Sequence, residues 1–327
     1  MLSIRISFLK NKLIFTPLII IVLELFIRII IGIGDPILYK EHPTIEYEQL
    51  PNQKVRVFNN QIFINSLGMK SDPLLIQKNK NQKRILVYGD SVIFGGNLIS
   101  NKNLATNILQ NKLNIHGNKF EVGNISSGSW GPGNWLAHMK EKGIYNADHV
   151  LIVINSNDFF DIPQYEPLNK NILLPTKKPF SAIIYSLDRY LIPNIKYLNK
   201  KLLRYFFNNN NENIDNKNNS KNYLKENATN DLIEIIKFLE KQNVGISVVQ
   251  FWDKSEYINE KPRKSNIDMR RLFQKRKINI MQSINDFKEC SLNPNDLYVD
   301  NIHPYKKKGQ ICLAKIMMKS LESNQNL

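Results

Sequence analysis

The sequence predicts an α/β protein: a three-layer α/β/α domain around a central parallel sheet, preceded by an N-terminal transmembrane helix. Three observations carry that prediction. From Arg84 onward, short apolar segments alternate with longer segments of helical periodicity, the pattern of a parallel sheet covered on both faces. Stretches rich in Gly, Asn, Ser and Asp follow several of the apolar segments, where the carboxyl ends of such strands place functional loops. And Leu13 to Ile33, "LIFTPLIIIVLELFIRIIIGI", is an almost unbroken apolar run.

That run has the length a bilayer core requires, roughly 20 residues. Glu24 and Arg28 lie four apart within it, so they share a helix face and neutralise each other. The alternative is a span shifted towards the N-terminus, with Arg28 reaching the interface. No Ala-x-Ala pattern precedes Asp35-Pro36, so the segment reads as an uncleaved anchor. Arg5, Lys10 and Lys12 precede it, which assigns residues 1–12 to the cytoplasm, 13–33 to the membrane and everything beyond about residue 34 to the other side.

Residues 34–83 form a turn-rich lead-in, with a hairpin predicted in "VRVFNNQIFI" about Asn59-Asn60. The main domain is expected over 84–327. Its strands are predicted at Ile85–Tyr88, Phe120–Val122, Val150–Ile154, Ile246–Phe251 and Leu297–Val299. Its helices are predicted at Leu104–Leu113, Trp135–Lys142, Asp231–Lys241, Met269–Phe287 and Gly309–Leu321. Phe180–Phe207 has helical periodicity with many Lys and Tyr and reads as a surface excursion. Residues 208–230, "NNNENIDNKNNSKNYLKENATN" with the preceding Asn, have too little apolar surface to order themselves and are expected to be a flexible insert.

Composition narrows the function. A chain of 327 residues, 42% of them hydrophobic, can bury a large core. The net charge of +16 is spread along the chain among Lys, Asn and Ile, and no basic stretch carries the aromatic interleaving that nucleic-acid binding needs. Nucleic acid is therefore excluded as a partner. Cys290 and Cys312 are too few and too irregularly spaced for a zinc site or a disulfide framework. Cys312 falls within an apolar helical pattern as a core residue; a single disulfide outside the cytoplasm is the alternative.

Four segments carry chemistry. In "RILVYGDSVIFGG", Ser91 follows a predicted strand and a tight turn, so its hydroxyl would project from the sheet beside its own N–H; an ordinary polar turn is the competing reading. "GNISSGSWGPGNW", Gly123 to Trp135, has the glycines that let backbone approach an oxyanion, or simply a surface loop before a helix. "VLIVINSNDFFD" ends in a polar turn where Asn157 either donates its amide to an oxyanion or caps the next helix. In "YVDNIHPYKKKGQ", Asp300 and His303 are three apart, so the carboxylate can hold Nδ1–H and leave Nε2 free as a base, against a solvated loop. The other histidines lack such a partner. His42 lies in the lead-in, His116 in a polar turn and His138 in a helix, and His149 precedes the third strand at the opposite end of the sheet.

Together, in this order, the four segments resemble the SGNH hydrolase superfamily, the GDSL-type esterases. The resemblance runs from about Arg84 to the C-terminus, interrupted by the Asn-rich insert, and implies a flavodoxin-like fold with no metal or organic cofactor. It implies that Ser91 is the nucleophile, that His303 is the base oriented by Asp300, and that the oxyanion lies against Ser91, Gly128 and Asn157. Gly131 rivals Gly128. Asn155 stands where the family carries Gly in Gly-x-Asn-Asp, which bears on the placement of Asn157. The anchor together with "INSLGMKSD" looks like the extracytoplasmic members associated with acyl groups on cell-surface polysaccharides. The implied function is an O-acetyl esterase or O-acyltransferase acting on an extracytoplasmic glycan. Lipid or thioester hydrolysis at the membrane uses the same residues, and a catalytically silent glycan-binding or assembly protein is the reading from a different class.

Overall fold

The structure, a computed structural model, describes residues 15–196, 198 and 214–323. Two antiparallel hairpins come first: β1 (Tyr39–His42) with β2 (Glu46–Gln49), and β3 (Gln53–Val57) with β4 (Asn60–Ile64). Val55, Val57, Ile62 and Ile64 are buried on one face of the second hairpin, as alternation with polar residues demands. Its turn sits one residue earlier than the sequence suggests. Phe58 and Asn59 both take positive φ, and the ring of Phe58 packs edge-on against Tyr190 with centroids 5.2 Å apart, which offsets the cost of that backbone.

The central sheet has five parallel strands in the order β6-β5-β7-β8-β9. They are β5 (Lys83–Gly89), β6 (Phe120–Ser126), β7 (His149–Asn155), β8 (Gly245–Phe251) and β9 (Ile280–Gln282). Apart from the N-terminal helix and the helical turns that follow Ser186, the α-helices in chain order among the described residues are α1 (Ser91–Phe94), α2 (Ala105–Leu113), α3 (Pro132–Lys142), α4 (Ala182–Ser186), α5 (Ile214–Lys241), α6 (Lys254–Asn259), α7 (Lys264–Lys275), α8 (Ser283–Cys290) and α9 (Lys307–Glu322). Alternate residues of β5 serve opposite layers. Leu86 and Tyr88 join the core containing Trp135 of α3 and Leu232 and Ile235 of α5, while Ile85 and Val87 join the core containing Leu109 of α2 and Leu313 and Ile316 of α9. The lead-in shares the first of these cores through Tyr39, Tyr47, Val55 and Ile62, so residues 34–83 are built into the domain rather than leading up to it. The winding direction reverses between β5 and β7, and the loops leaving their carboxyl ends open a crevice there.

Several expectations are corrected. Leu297–Val299 is not a strand: Leu297 and Tyr298 are buried against Phe251 and Phe287, so their apolar character serves core packing and not pairing. The fifth strand lies within the stretch predicted as one helix, Met269–Phe287. There α7 ends at Lys275, Lys277 turns left-handed at φ 57°, and β9 pairs with β8 before α8 begins. Ile278, Ile280, Met281 and Ile284 fit a helical period as well as a short edge strand, which misled the periodicity.

The Asn-rich insert is also corrected: residues 214–230 belong to α5, and 208–213 lie outside the described residues. Ala228, Leu232, Ile235, Ile236 and Leu239 are buried at helical spacing, and a helix nucleated by that packing extends at small cost per residue. In the Phe180–Phe207 stretch the chain is helical from Ala182 to residue 196, with a wider π-turn over Leu187–Leu191; residues 197 and 199–207 lie outside the described residues.

At the N-terminus, residues 13 and 14 of the predicted span lie outside the described residues. Residues 15–26 are α-helical, the helix widens to a π-turn over Ile27–Ile31, and it stops at Gly32. Among the described residues no helix is long and apolar enough to cross a membrane. The physical reason is that the last third of the run belongs to the domain: Ile27 and Ile33 are buried with Ala182 and Tyr185. Glu24 and Arg28 do pair, at 2.6 Å. Cys290 and Cys312 form a disulfide linking α8 to α9, with Cys312 buried in the second core.

Candidate active site

Ser91 is the first residue of α1, immediately beyond the carboxyl end of β5. Asp90 caps that helix, its Oδ1 accepting from Val92 N at 2.8 Å, and Gly95 ends it at φ 70°. The four-residue helix thus turns the Ser91 side chain out of the sheet into the crevice. His303 Nε2 lies 2.9 Å from Ser91 Oγ, and its Nδ1 lies 2.7 Å from Asp300 Oδ2. Asp300 Oδ1 also accepts the N–H groups of Ile302 and His303 at 2.9 and 2.8 Å, which folds the Asp-x-x-His segment into a closed turn. Partial burial raises the Asp300 pKa, but the hydrogen bonds from the His303 ring and from those two N–H groups outweigh it and bring the pKa down to about 2. Asp300 is therefore ionised wherever the imidazole is neutral.

Ser91 Oγ has a second acceptor within reach, Asp90 Oδ2 at 3.3 Å. One hydroxyl proton serves one acceptor, and the shorter contact is to His303. Asp90 itself is buried; burial raises its pKa, opposed by the hydrogen bond from Val92, the nearby His303 ring and Asn155.

Asn155 is a residue whose role the sequence did not reveal. Its Nδ2 donates to Asp90 at 3.1 Å and to Asp158 at 3.0 Å, and its Oδ1 accepts from Asn157 N at 2.8 Å. A Gly could make none of these contacts, so the side chain joins the Ser91 segment to the turn after β7. Asn157 lies in that turn with its Oδ1 accepting from Arg263 at 3.2 Å, and it is not among the residues that line the cavity.

The two glycine candidates separate by what surrounds them. A Cβ on Gly131 would stand 2.1 Å from the Asp161 carbonyl oxygen, so packing of the loop requires glycine there. A Cβ on Gly128 would meet nothing within 4 Å, and Gly128 lines the cavity beside Ser91 and His303. The Gly128 carbonyl is held by the Tyr47 hydroxyl, and Gln49 of β2 donates to Ser126 O at 3.0 Å, so the lead-in positions this loop.

The cavity over Ser91 has a volume of about 510 Å³. Tyr39, Glu46 and Tyr47 from the lead-in form one wall, and Asp161, Glu166 and Leu174 from the connection after β7 form another. Burial pushes the Asp161 carboxyl up to about 7, and the neighbouring charges of Asp90 and Glu46 add to it. Tyr305, which no motif flagged, donates to Ser91 O at 2.5 Å and packs on the His303 ring with centroids 4.7 Å apart. Lys70, from the "LGMKS" stretch, is buried and donates to Gly96 O at 2.7 Å and Ile99 O at 2.8 Å, bracing the loop that follows α1.

The remaining histidines do other work. His138 is buried, with Nδ1 3.2 Å from the Tyr88 hydroxyl, and burial lowers its pKa to about 3. His149 sits at the amino end of β7, Nε2 2.7 Å from Ser247 Oγ, and burial lowers it to about 4. His42 Nδ1 caps the β1–β2 turn at Ile45 N, and His116 is exposed. Among the described residues no group of three or more His, Cys, Asp or Glu side chains is arranged to hold a metal ion.

A parallel α/β/α sheet with a serine–histidine–aspartate relay at its carboxyl edge defines an arrangement suited to acyl transfer through serine. The sequence matches no family profile and no curated protein. Among solved structures, the chain is similar to the esterase EstA from Pseudoalteromonas sp., at 15% identity over 75% of this chain and 100% of that one, TM-score 0.44. It is similar to the lipase/acylhydrolase from Enterococcus faecalis, at 12% identity over 74% and 96% of the two chains, TM-score 0.41. It is also similar to the acetylxylan esterase Axe2 from Geobacillus stearothermophilus, at 14% identity over 76% and 96%, TM-score 0.42. Likeness at this level is one of general outline, and the functional reading rests on the site's own geometry.

Proposed function

We propose that the chain is an SGNH-type serine esterase that removes or transfers a small acyl group, such as acetyl, on a glycan outside the cytoplasm, held at a membrane by its N-terminal apolar segment. The observation that carries the reading is the continuous relay of 2.9 and 2.7 Å contacts from Ser91 through His303 to Asp300. His303 Nε2 takes the proton of Ser91 as its oxygen attacks the ester carbonyl. Asp300, ionised, holds Nδ1–H and stabilises the imidazolium. The oxyanion lies against the N–H groups of Ser91 and Gly128; Asn157 is assigned the third donor, through Nδ2, on the motif resemblance alone, since it stands outside the cavity lining with its Oδ1 engaged by Arg263. The departing alkoxide takes the proton back from His303. Water or a sugar hydroxyl then attacks the acyl-Ser91 ester by the same steps in reverse.

The cavity volume supports a small-molecule-sized group, for which sites of roughly 300–1,000 Å³ are usual. Tyr39, Tyr47, Glu46, Gln164 and Glu166 supply the mix of aromatic faces and polar atoms that sugar rings engage. Membrane attachment is supported by the outward-facing Leu18, Ile19, Ile20, Ile21 and Val22, and an oxidising location by the Cys290–Cys312 bond. The test is the full-length chain in detergent with short-chain aryl esters, with and without a serine-directed phosphonate. Turnover that the phosphonate abolishes is expected. A chain that turns over no ester and takes no phosphonate onto Ser91 overturns the reading.

A further inference from the structure

The helical segment from Ala182 to residue 196 has two faces. Ala182 and Tyr185 are buried on one, against Ile27, Ile33 and Phe58. On the other, Ile184, Leu187, Leu191, Ile195 and Leu198 are all exposed, at the three- and four-residue spacing of a single stripe. Phe180, just ahead of the helix, is fully exposed, and Ile172 and Leu173 extend the apolar surface. The cations Lys177, Lys178, Arg189 and Lys196 accompany the stripe; Lys178 is paired with Asp35 at 2.7 Å, and Asp188 is the one carboxylate between residues 172 and 198.

Two ties fix this surface relative to its surroundings. Glu24 accepts from Ser181 Oγ at 2.9 Å, Ala182 N at 2.7 Å and Ile183 N at 3.1 Å, so the apolar N-terminal helix caps the start of the segment. At the other side Arg189 donates to Ile172 O at 2.6 Å, and both Arg189 and Leu173 line the cavity that holds Ser91.

We propose that residues 172–198 lie in the surface of an anionic bilayer, apolar stripe inward, and present the cavity mouth to esters borne by that membrane. A basic amphipathic helix packed against an apolar helix through Glu24 and Ile27 has the chemistry of an interfacial element: the stripe leaves water, and the lysines meet anionic headgroups. The word "ester" rests on the serine esterase reading; the bilayer contact does not.

The test uses the full-length chain in nanodiscs. Ile184→Cys and Leu191→Cys, each carrying an NBD fluorophore, are compared with Lys119→Cys, an exposed position ahead of β6 at the amino end of the sheet. With phosphatidylglycerol present, doxyl lipids are expected to quench the labels at 184 and 191 by about twofold and leave 119 unchanged, and the quenching weakens in pure phosphatidylcholine. Labels at 184 and 191 that behave like 119 overturn the proposal; so does their shielding by a second copy, seen as a doubled mass. For the cavity mouth, Leu187→Glu with Leu191→Glu should keep soluble aryl-ester turnover within about twofold while lowering turnover of a vesicle-embedded ester by about tenfold. Equal effects on the two substrates sever the link to the cavity. No turnover by the wild type sinks the esterase reading, and the quenching alone then decides the bilayer contact.

Discussion

The carboxyl edge of the sheet and the walls of the cavity above it are assembled on different terms. At the edge, Ser91 leaves β5 through a cap made by its neighbour Asp90, and Asp300 and His303 share one closed turn. Each of those geometries is local, and the halves meet through the 2.9 Å contact of His303 with Ser91 Oγ and the bond from Tyr305 to Ser91 O. The walls depend on long reaches instead. Tyr47 holds the Gly128 carbonyl 81 residues away, and Asn134 bonds Glu46 across 88 residues. The edge therefore fixes which reaction is possible, whereas the walls can change what is accepted without disturbing the relay.

Substitutions can break or sharpen that contrast. The largest effect is expected from Ser91→Ala, a loss on the order of 10⁴-fold or more in kcat with the melting temperature unchanged. Asp300→Asn should cost about 10³-fold through the imidazole tautomer. Because Asp300 is held near a pKa of about 2, activity lost on acidification above about pH 4 belongs to another group, and a pH–rate profile whose acid limb falls at that carboxylate's own pKa would contradict the assignment. Asn157→Ala should lower kcat by about 10²-fold with KM little changed if its amide meets the oxyanion, and an unchanged kcat removes it from the site. On the wall side, Tyr47→Phe should cost about tenfold in kcat/KM, the worth of one hydrogen bond steadying the Gly128 loop. A loss as large as that of Asp300→Asn would erase the distinction between edge and wall.

The smallest effect concerns stability. Asp161 has a folded pKa raised to about 7, so the stability of the wild type is fully present below its unfolded value near 4 and declines as pH rises through 7. Asp161→Asn should accordingly raise the melting temperature at pH 8 by a few degrees and leave it unchanged at pH 4. Equal shifts at both values would show that the carboxyl is not held protonated by the fold.

The same division explains what could be read in the sequence. Gly-Asp-Ser and Asp-x-x-His are visible as motifs because nucleophile, cap, orienter and base are fixed by spacing of one to three residues. Tyr305 lies two residues beyond His303, yet nothing in its neighbours announces that its hydroxyl reaches Ser91 O. Lys70 braces Gly96 from 26 residues away and Asn155 reaches Asp90 across 65, so the link each makes to the Ser91 segment appears only when the chain is folded. In the fold, β5, β7 and β8 were legible as runs of buried apolar residues, whereas β6, which carries Glu121 and Asn124, was legible only over its first three residues. β9 was not, since three edge residues flanked by helix-spaced isoleucines carry no signal of period two. The Asn-rich part of α5 was missed because its order is inherited from Leu232 and Ile236 downstream.

The disulfide encloses one half of the relay and not the other. Cys290 and Cys312 close a loop spanning 22 residues that contains Asp300 and His303, while Ser91 stands outside it. Closing a loop of that size contributes about 3 kcal/mol. The nucleophile is thus held by the parallel sheet, while the base rides on a segment that the covalent link also restrains. With the bond reduced, packing and hydrogen bonds alone would hold that segment, so reduction should weaken the placement of the base before it touches that of the nucleophile.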